Sequence, residues 1–179
     1  MRTFITLLIV ALIPLSSFCQ QKIFIKPDGI NGESQDKTHP KWIDATAYSV
    51  GGSNTSNIGS TGSGAGVGKT TTTDFTFSIC LDASGNPLKM AMYSGKRIQN
   101  VNIEFSTGTA QEVVYYKILL QNVLITSISE GGTTTQSKNN VNVSFAAEQF
   151  TYTYYPIDQT GKQGLPNVFK WNAATNSTF

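Results

Sequence analysis

The chain has 179 residues and a net charge of +2, with 13 basic against 11 acidic side chains and 13% charged residues overall. Near neutrality without runs of like charge excludes the electrostatic footprint of a nucleic-acid binder or of a protein that docks on anionic membranes. The length suits one domain with a real core, and a single histidine excludes any site built on two imidazoles.

Residues 1–19 read as an export signal. Arg2 supplies the positive start, residues 4–15 (FITLLIVALIPL) form the apolar stretch, and Ser17 and Cys19 stand at the small-residue positions before a cut near Cys19-Gln20. The apolar run falls short of the roughly 20 residues that span a bilayer. This predicts residues 20–179 as a single domain outside the cytoplasm, secreted or periplasmic, with no stable membrane insertion once the signal is removed. Lipidation at Cys19 is the alternative, and bulky Phe18 stands against it. With Cys19 gone, only Cys80 remains, as a small half-buried thiol in a strand. No intrachain disulfide can then form, so stability must come from the core or from assembly with copies of itself.

Residues 23–27 (IFIKP) read as a first strand, followed by a turn at residues 28–32 (DGING). Residues 32–52, GESQDKTHPKWIDATAYSVGG, pack a charged turn, the lone histidine, a tryptophan and an alternating strand together. Glu33, Asp36 and His39 are the residue types of a metal set or an acid–base group. No spacing rule separates them from a polar turn ahead of the Trp42 strand, and Glu33, Asp36, His39 and Trp42 are read as a structural turn. The G-x-S-x-G pattern of a nucleophile elbow does not occur.

Residues 51–73 are mostly Gly, Ser and Thr, too long and polar for an ordinary hairpin turn, hence functional or simply solvated. Within them, residues 64–70 (GAGVGKT) resemble a phosphate-binding loop. Ser63 occupies its first glycine position, Ser, Asn, Thr and Gly precede it instead of a buried strand, and strand-like residues follow it instead of a helix. No nucleotide or other cofactor is expected.

From residue 70 onward the dominant period is two. Residues 70–82 read as a strand in which Phe75, Phe77, Ile79 and Leu81 share one face; Val101, Ile103 and Phe105 repeat the pattern, as do Val141, Val143 and Phe145. Residues 87–96 (PLKMAMYSGK) predict a short helix capped by Asn86, opened by Pro87 and closed by Gly95. Long strands follow at residues 113–132 and 140–156, the second with a phase shift at residues 146–148 that suggests a bulge or bend. Residues 168–172 (VFKWN) close the set. Tyr115, Tyr116, Tyr152, Tyr154 and Tyr155 suit either cross-strand packing or a binding face for sugar or peptide. The acidic residues are scattered and none is singled out as a hydrolase pair. A barrel or sandwich with one helix is the natural architecture.

Taken in order, IFIKP, the His39–Trp42 turn, the Gly-rich loop, the strand at residues 70–82, PLKMAMYSGK, the two long strands and VFKWN resemble the Hcp family, the ring-forming tube subunits of bacterial type VI secretion systems. The resemblance spans nearly everything after the leader. It implies a mainly β fold, an Hcp-like β-barrel or two-sheet sandwich with one short α-helix, without catalytic site, metal or cofactor. It implies self-association into homohexamers and stacked rings, with effector cargo or other secretion components as partners. It also implies that loop 51–73 reaches neighbouring subunits, with Gly51, Gly52, Gly59, Gly62, Gly64, Gly66, Gly68 and Lys69 as interface candidates. The leader, which tube subunits of the family lack, favours an alternative: an exported barrel serving as a surface or extracellular binding module.

Overall fold

The computed structural model describes residues 21–55, 69–107 and 112–179, so the predicted leader and residues 56–68 lie outside the described residues. The elements in chain order are β1 (Lys22–Pro27), β2 (Ile43–Ser49), β3 (Gly52–Asn54), β4 (Thr70–Thr72), β5 (Phe75–Cys80), α1 (Gly85–Tyr93), β6 (Ile98–Thr107), β7 (Val113–Gly131), β8 (Asn140–Tyr154) and β9 (Asn167–Asn172). The strands of the main sheet run in the order β5-β2-β1-β6-β7-β8-β9, and a further pairing of β5 with β8 closes six of them into a barrel. Closure decides between the two predicted architectures: the mainly β fold is a barrel. Every pairing is antiparallel.

Alternation supplies the core. Phe75, Phe77 and Ile79 of β5, Val101, Ile103 and Phe105 of β6, and Val141, Val143 and Phe145 of β8 point inward and are essentially fully buried. Aromatic edges meet across the closure, Phe77 on Phe145 at 6.0 Å and Phe75 on Phe150 at 5.5 Å between ring centres. Cys80 takes the opposite phase at the end of β5, so its thiol is exposed and not half-buried as predicted.

One edge of β8 serves two partners. Its first part pairs with β5, ending at Phe75 opposite Phe145; its last part pairs with β9, beginning at Gln149 opposite Asn172. Residues 146–148, where the alternation slips, are where the partner changes. β7 bulges at Thr126, between Ile125 and Ser127 and opposite Phe145 and Ser144; across residues 146–148 its register with β8 is unbroken, from Gln121 opposite Gln149 to Leu124 opposite Ala146. Nearby Asn122 takes a left-handed φ of 52° and its amide donates to the Glu148 carboxylate.

Two predicted boundaries move. The helix begins at Gly85 after Ser84, not at Pro87 after Asn86, and the Ser84 hydroxyl turns back to Asp82 without capping. Its end is as read: Gly95 at φ 63° lets its own N–H reach the Met92 carbonyl (3.1 Å) and the Lys96 N–H reach Ala91 (3.0 Å), while Leu88 and Ala91 face the core. Residues 70–82 are two strands, because Thr73 turns to bond Gly51: its N–H donates to the Gly51 carbonyl (2.8 Å) and its hydroxyl accepts the Gly51 N–H (2.7 Å). That clip sets off β3 and β4 as a separate ribbon, with Gly52 opposite Thr72 and Asn54 opposite Thr70. Among the described residues no helix is long and apolar enough to cross a membrane.

Candidate functional site

Residues 28–42 form a strap across the outside of the barrel, and its anchor starts from an anomaly in β1. Phe24 points outward, opposite Glu104 of β6, yet is only 2% exposed because the strap covers it. The strap closes on itself where the Gly32 N–H donates to Lys41 (3.0 Å) and the Ser34 N–H to Trp42 (3.0 Å). A side chain at Gly32 would place Cβ 2.3 Å from the Trp42 carbonyl oxygen, so only glycine fits there. This geometry lays the His39 ring flat on Phe24, 4.0 Å between centres, with Trp42 edge-on at 4.9 Å.

His39, 2% exposed, lies between two sets of charged groups. Its Nε2 is 2.9 Å from the Glu104 carboxylate, which also accepts from Lys117 of β7 (2.8 Å). Burial pushes the Glu104 carboxyl up, but hydrogen bonds from Lys117 and His39 outweigh it and hold it below its ordinary value. An ionised carboxylate has no hydrogen to give, so Nε2 carries the hydrogen and donates. On the other side Nδ1 lies 2.8 Å from the Thr38 hydroxyl and 3.3 Å from Asp36. Burial acts on Asp36 too, and is overcome by the Thr38 hydroxyl and N–H and by the Lys22 ammonium, leaving this carboxyl well below the usual range. Lys22 bridges Glu112 (3.0 Å) and Asp36 (3.1 Å), which in that order push its own titration upward.

Donor atoms of Asp36, His39 and Glu112 lie within 4.8 Å of one another, a spacing a metal ion could use. The ammonium of Lys22, however, already bridges the two carboxylates, and both imidazole nitrogens face oxygen partners. The arrangement is suited to hold the strap down, with the Thr38 hydroxyl beside the histidine engaged by the Asp36 carboxylate.

Of the predicted turn residues, Asp36, His39 and Trp42 therefore meet, and Glu33 does not join them. Glu33 reaches the turn before α1, accepting from the Ala83 N–H (3.1 Å) and Lys138 (3.3 Å) while its own N–H donates to Asp82 (3.0 Å). Sequence reasoning missed Lys22, Glu104, Glu112 and Lys117. The available signal was Glu104 and Lys117, charges at outward positions in apolar strands that register sets opposite each other.

A second surface lies at the ribbon. Of the five tyrosines, Tyr116 and Tyr152 join an aromatic row that crosses β7, β8 and β9: Tyr116 on Tyr152 at 5.9 Å, Tyr152 on Phe169 at 6.1 Å and Phe169 on Trp171 at 6.3 Å. Burial, then the nearby Tyr48, pushes Tyr152 up to about 12, and burial with Tyr152 beside it raises Tyr116 as well. Between this row and the ribbon runs a cleft of about 390 Å³, with Gly51, Thr70 and Thr72 on one wall and Phe150, Tyr152 and Trp171 on the other. β9 is the outermost strand, and its Val168 and Phe169 are about half exposed. Gly51 and Gly52 stand at the ribbon base, and exposed Lys69 precedes β4, its carbonyl accepting from Thr55 (3.4 Å). Gly59, Gly62, Gly64, Gly66 and Gly68, with most of the phosphate-loop look-alike, lie outside the described residues.

The family described as "Type VI secretion system effector, Hcp" matches residues 24–154. Protein hcp1 of Pseudomonas aeruginosa is 35% identical over 156 residues, covering 86% of this chain and 96% of that one. Among solved structures, one of a type six secretion system protein superposes with a TM-score of 0.83 at 25% identity, covering 89% of this chain and all of the other. Hcp1 from Salmonella typhimurium shares the fold at a TM-score of 0.74 and 21% identity, covering 90% and 100%.

Proposed function

The chain belongs to the Hcp family of type VI secretion proteins, and from that premise we propose that it is a structural, ring-forming subunit without catalytic chemistry. Copies associate into hexamers, the rings stack into a tube, and effectors or other secretion components are its partners. The observation that carries this reading is the unfinished outer strand. β9 extends the sheet past the barrel closure and leaves an outer edge with Val168 and Phe169 half exposed, a template on which another chain can pair. Gly51, Gly52, Gly59, Gly62, Gly64, Gly66, Gly68 and Lys69 are the proposed contacts with the neighbouring subunit. The 35% identity over most of the chain supports carrying the family's tube role to this protein.

A second reading rests on the leader-like residues 1–19: the same barrel, exported through a cleaved signal, works as a binding module outside the cytoplasm. Light scattering on purified residues 20–179, with negative-stain imaging of the same sample, separates the two. Hexameric rings are the expected result. A monomer across a wide concentration range overturns the ring and favours the exported module.

A further inference from the structure

We infer that the C-terminal turn is a clasp that sets the pose of the β3–β4 ribbon, acting through Asn176. At the base of the ribbon the Gly51–Thr73 clip ties its two arms to each other, between β2 and β5 of the barrel. Along its flank, among the described residues, the hydrogen bond that ties it to another element runs from the Thr70 N–H to the Asn176 side-chain oxygen, 3.1 Å and partly buried. Thr70 is the first residue of β4, so this bond holds the ribbon where it enters the loop.

The turn is built to present that oxygen. Asn172 and Ser177 exchange backbone bonds (2.8 and 3.3 Å), the Asn172 side chain accepts the N–H groups of Ala174 (2.9 Å) and Thr175 (3.0 Å), and the hydroxyls of Thr175 and Ser177 meet at 2.9 Å. The Ala173 N–H donates to Glu148 (2.8 Å), fastening the whole turn to β8. Asn176 itself sits at φ 55°, a left-handed conformation that asparagine tolerates better than most residues. Thr70 and Thr72 form one wall of the aromatic cleft and Trp171 part of the other. The clasp therefore also fixes the width of the cleft. The Trp171 indole N–H, buried and without a hydrogen-bond partner among the described residues, belongs to the wall that a released ribbon would uncover.

The consequence for assembly rests on the ring reading above: a ribbon held in one pose is pre-organised to meet a neighbouring copy. The clasp itself is tested without reference to rings. Asn176→Gly keeps the left-handed turn and removes the acceptor, whereas Asn176→Asp keeps the acceptor. Residue-resolved hydrogen exchange on the purified protein is expected to show Thr70 exchanging at least about tenfold faster in the glycine variant, with Ala174 and Thr175 unchanged, and wild-type protection in the aspartate variant. Unchanged Thr70 exchange in the glycine variant, or lost Thr70 protection in the aspartate variant, overturns the clasp. Light scattering in parallel reads assembly: no rings from the unmodified protein sinks the ring reading and leaves the clasp standing. Rings from the unmodified protein together with unchanged Thr70 exchange in the glycine variant sink the clasp alone.

Discussion

Replacing Glu104 by alanine should release the strap at its most buried point. Glu104 accepts the His39 Nε2–H at 2.9 Å and Lys117 at 2.8 Å, and the His39 ring, 2% exposed between Phe24 and Trp42, cannot turn that N–H to water. A hydrogen bond to a charged group contributes about 1.5–3 kcal/mol net, and stranding a buried donor adds to the loss, so about 2–4 kcal/mol is expected. Lys117→Ala removes the outer partner of the same carboxylate, but its side chain is 42% exposed, and about 0–1 kcal/mol is expected. Replacing both inner partners, His39→Phe with Glu104→Leu, keeps the stack on Phe24 and leaves no orphan, so most of the loss should return. Urea unfolding at neutral pH reads these as shifts in midpoint at constant slope, at one fixed protein concentration because assembly would add its own stabilisation. If Glu104→Ala costs no more than Lys117→Ala, the His39–Glu104 bond is not what holds the strap, and the reasoning fails.

Gly32→Ala should destabilise by more than about 2 kcal/mol, since its Cβ would meet backbone at 2.3 Å with no flexible atom to yield; near-wild-type thermal stability would show that the strap re-forms elsewhere. Acidification has a defined sign. Asp36 and Glu104 are depressed in the folded state, so the stability they lend is present above their unfolded values near 3.8 and 4.5 and is lost as pH falls through the folded ones. A denaturation series from pH 6 downward should therefore steepen below about pH 4, and less so in a variant lacking both carboxylates. At the alkaline end, Tyr152 is raised to about 12 and Tyr116 is also raised. Their contribution is intact below the unfolded value near 10 and fades as pH rises through the folded one, so absorbance titration should show two tyrosines ionising late or only on unfolding.

How much of this was legible in the residues varies from element to element. β5 and β6 announce themselves because their period of two survives any choice of neighbour. The end of α1 was readable because Gly95 answers a local need for a left-handed residue, whereas its start was not, since Asn86 and Ser84 are equally good caps on paper. The phase shift at residues 146–148 marked the right place in β8 but not its setting, because the change of edge partner from β5 to β9 and the left-handed Asn122 that donates to Glu148 belong to other strands. In the strap, Asp36 and His39 were visible as chemistry-bearing types, while the carboxylate that accepts from His39 stands 65 positions further along, in β6, and the ammonium beside Asp36 stands 14 positions back, in β1.

By itself the sequence determined the class of the fold, the inward faces of its strands, the position of the one helix and, through the order of its motifs, the family. The first three follow from local backbone preference and burial, which act within a few residues, whereas the family rests on the resemblance of the motifs taken in order. The tertiary structure alone decided that the sheet closes into a barrel, that Lys22 bridges the carboxylates beside His39, and that an asparagine three residues from the end fastens a ribbon begun at residue 52. Those depend on register between strands far apart in the chain, and register is settled only when whole apolar faces are buried together.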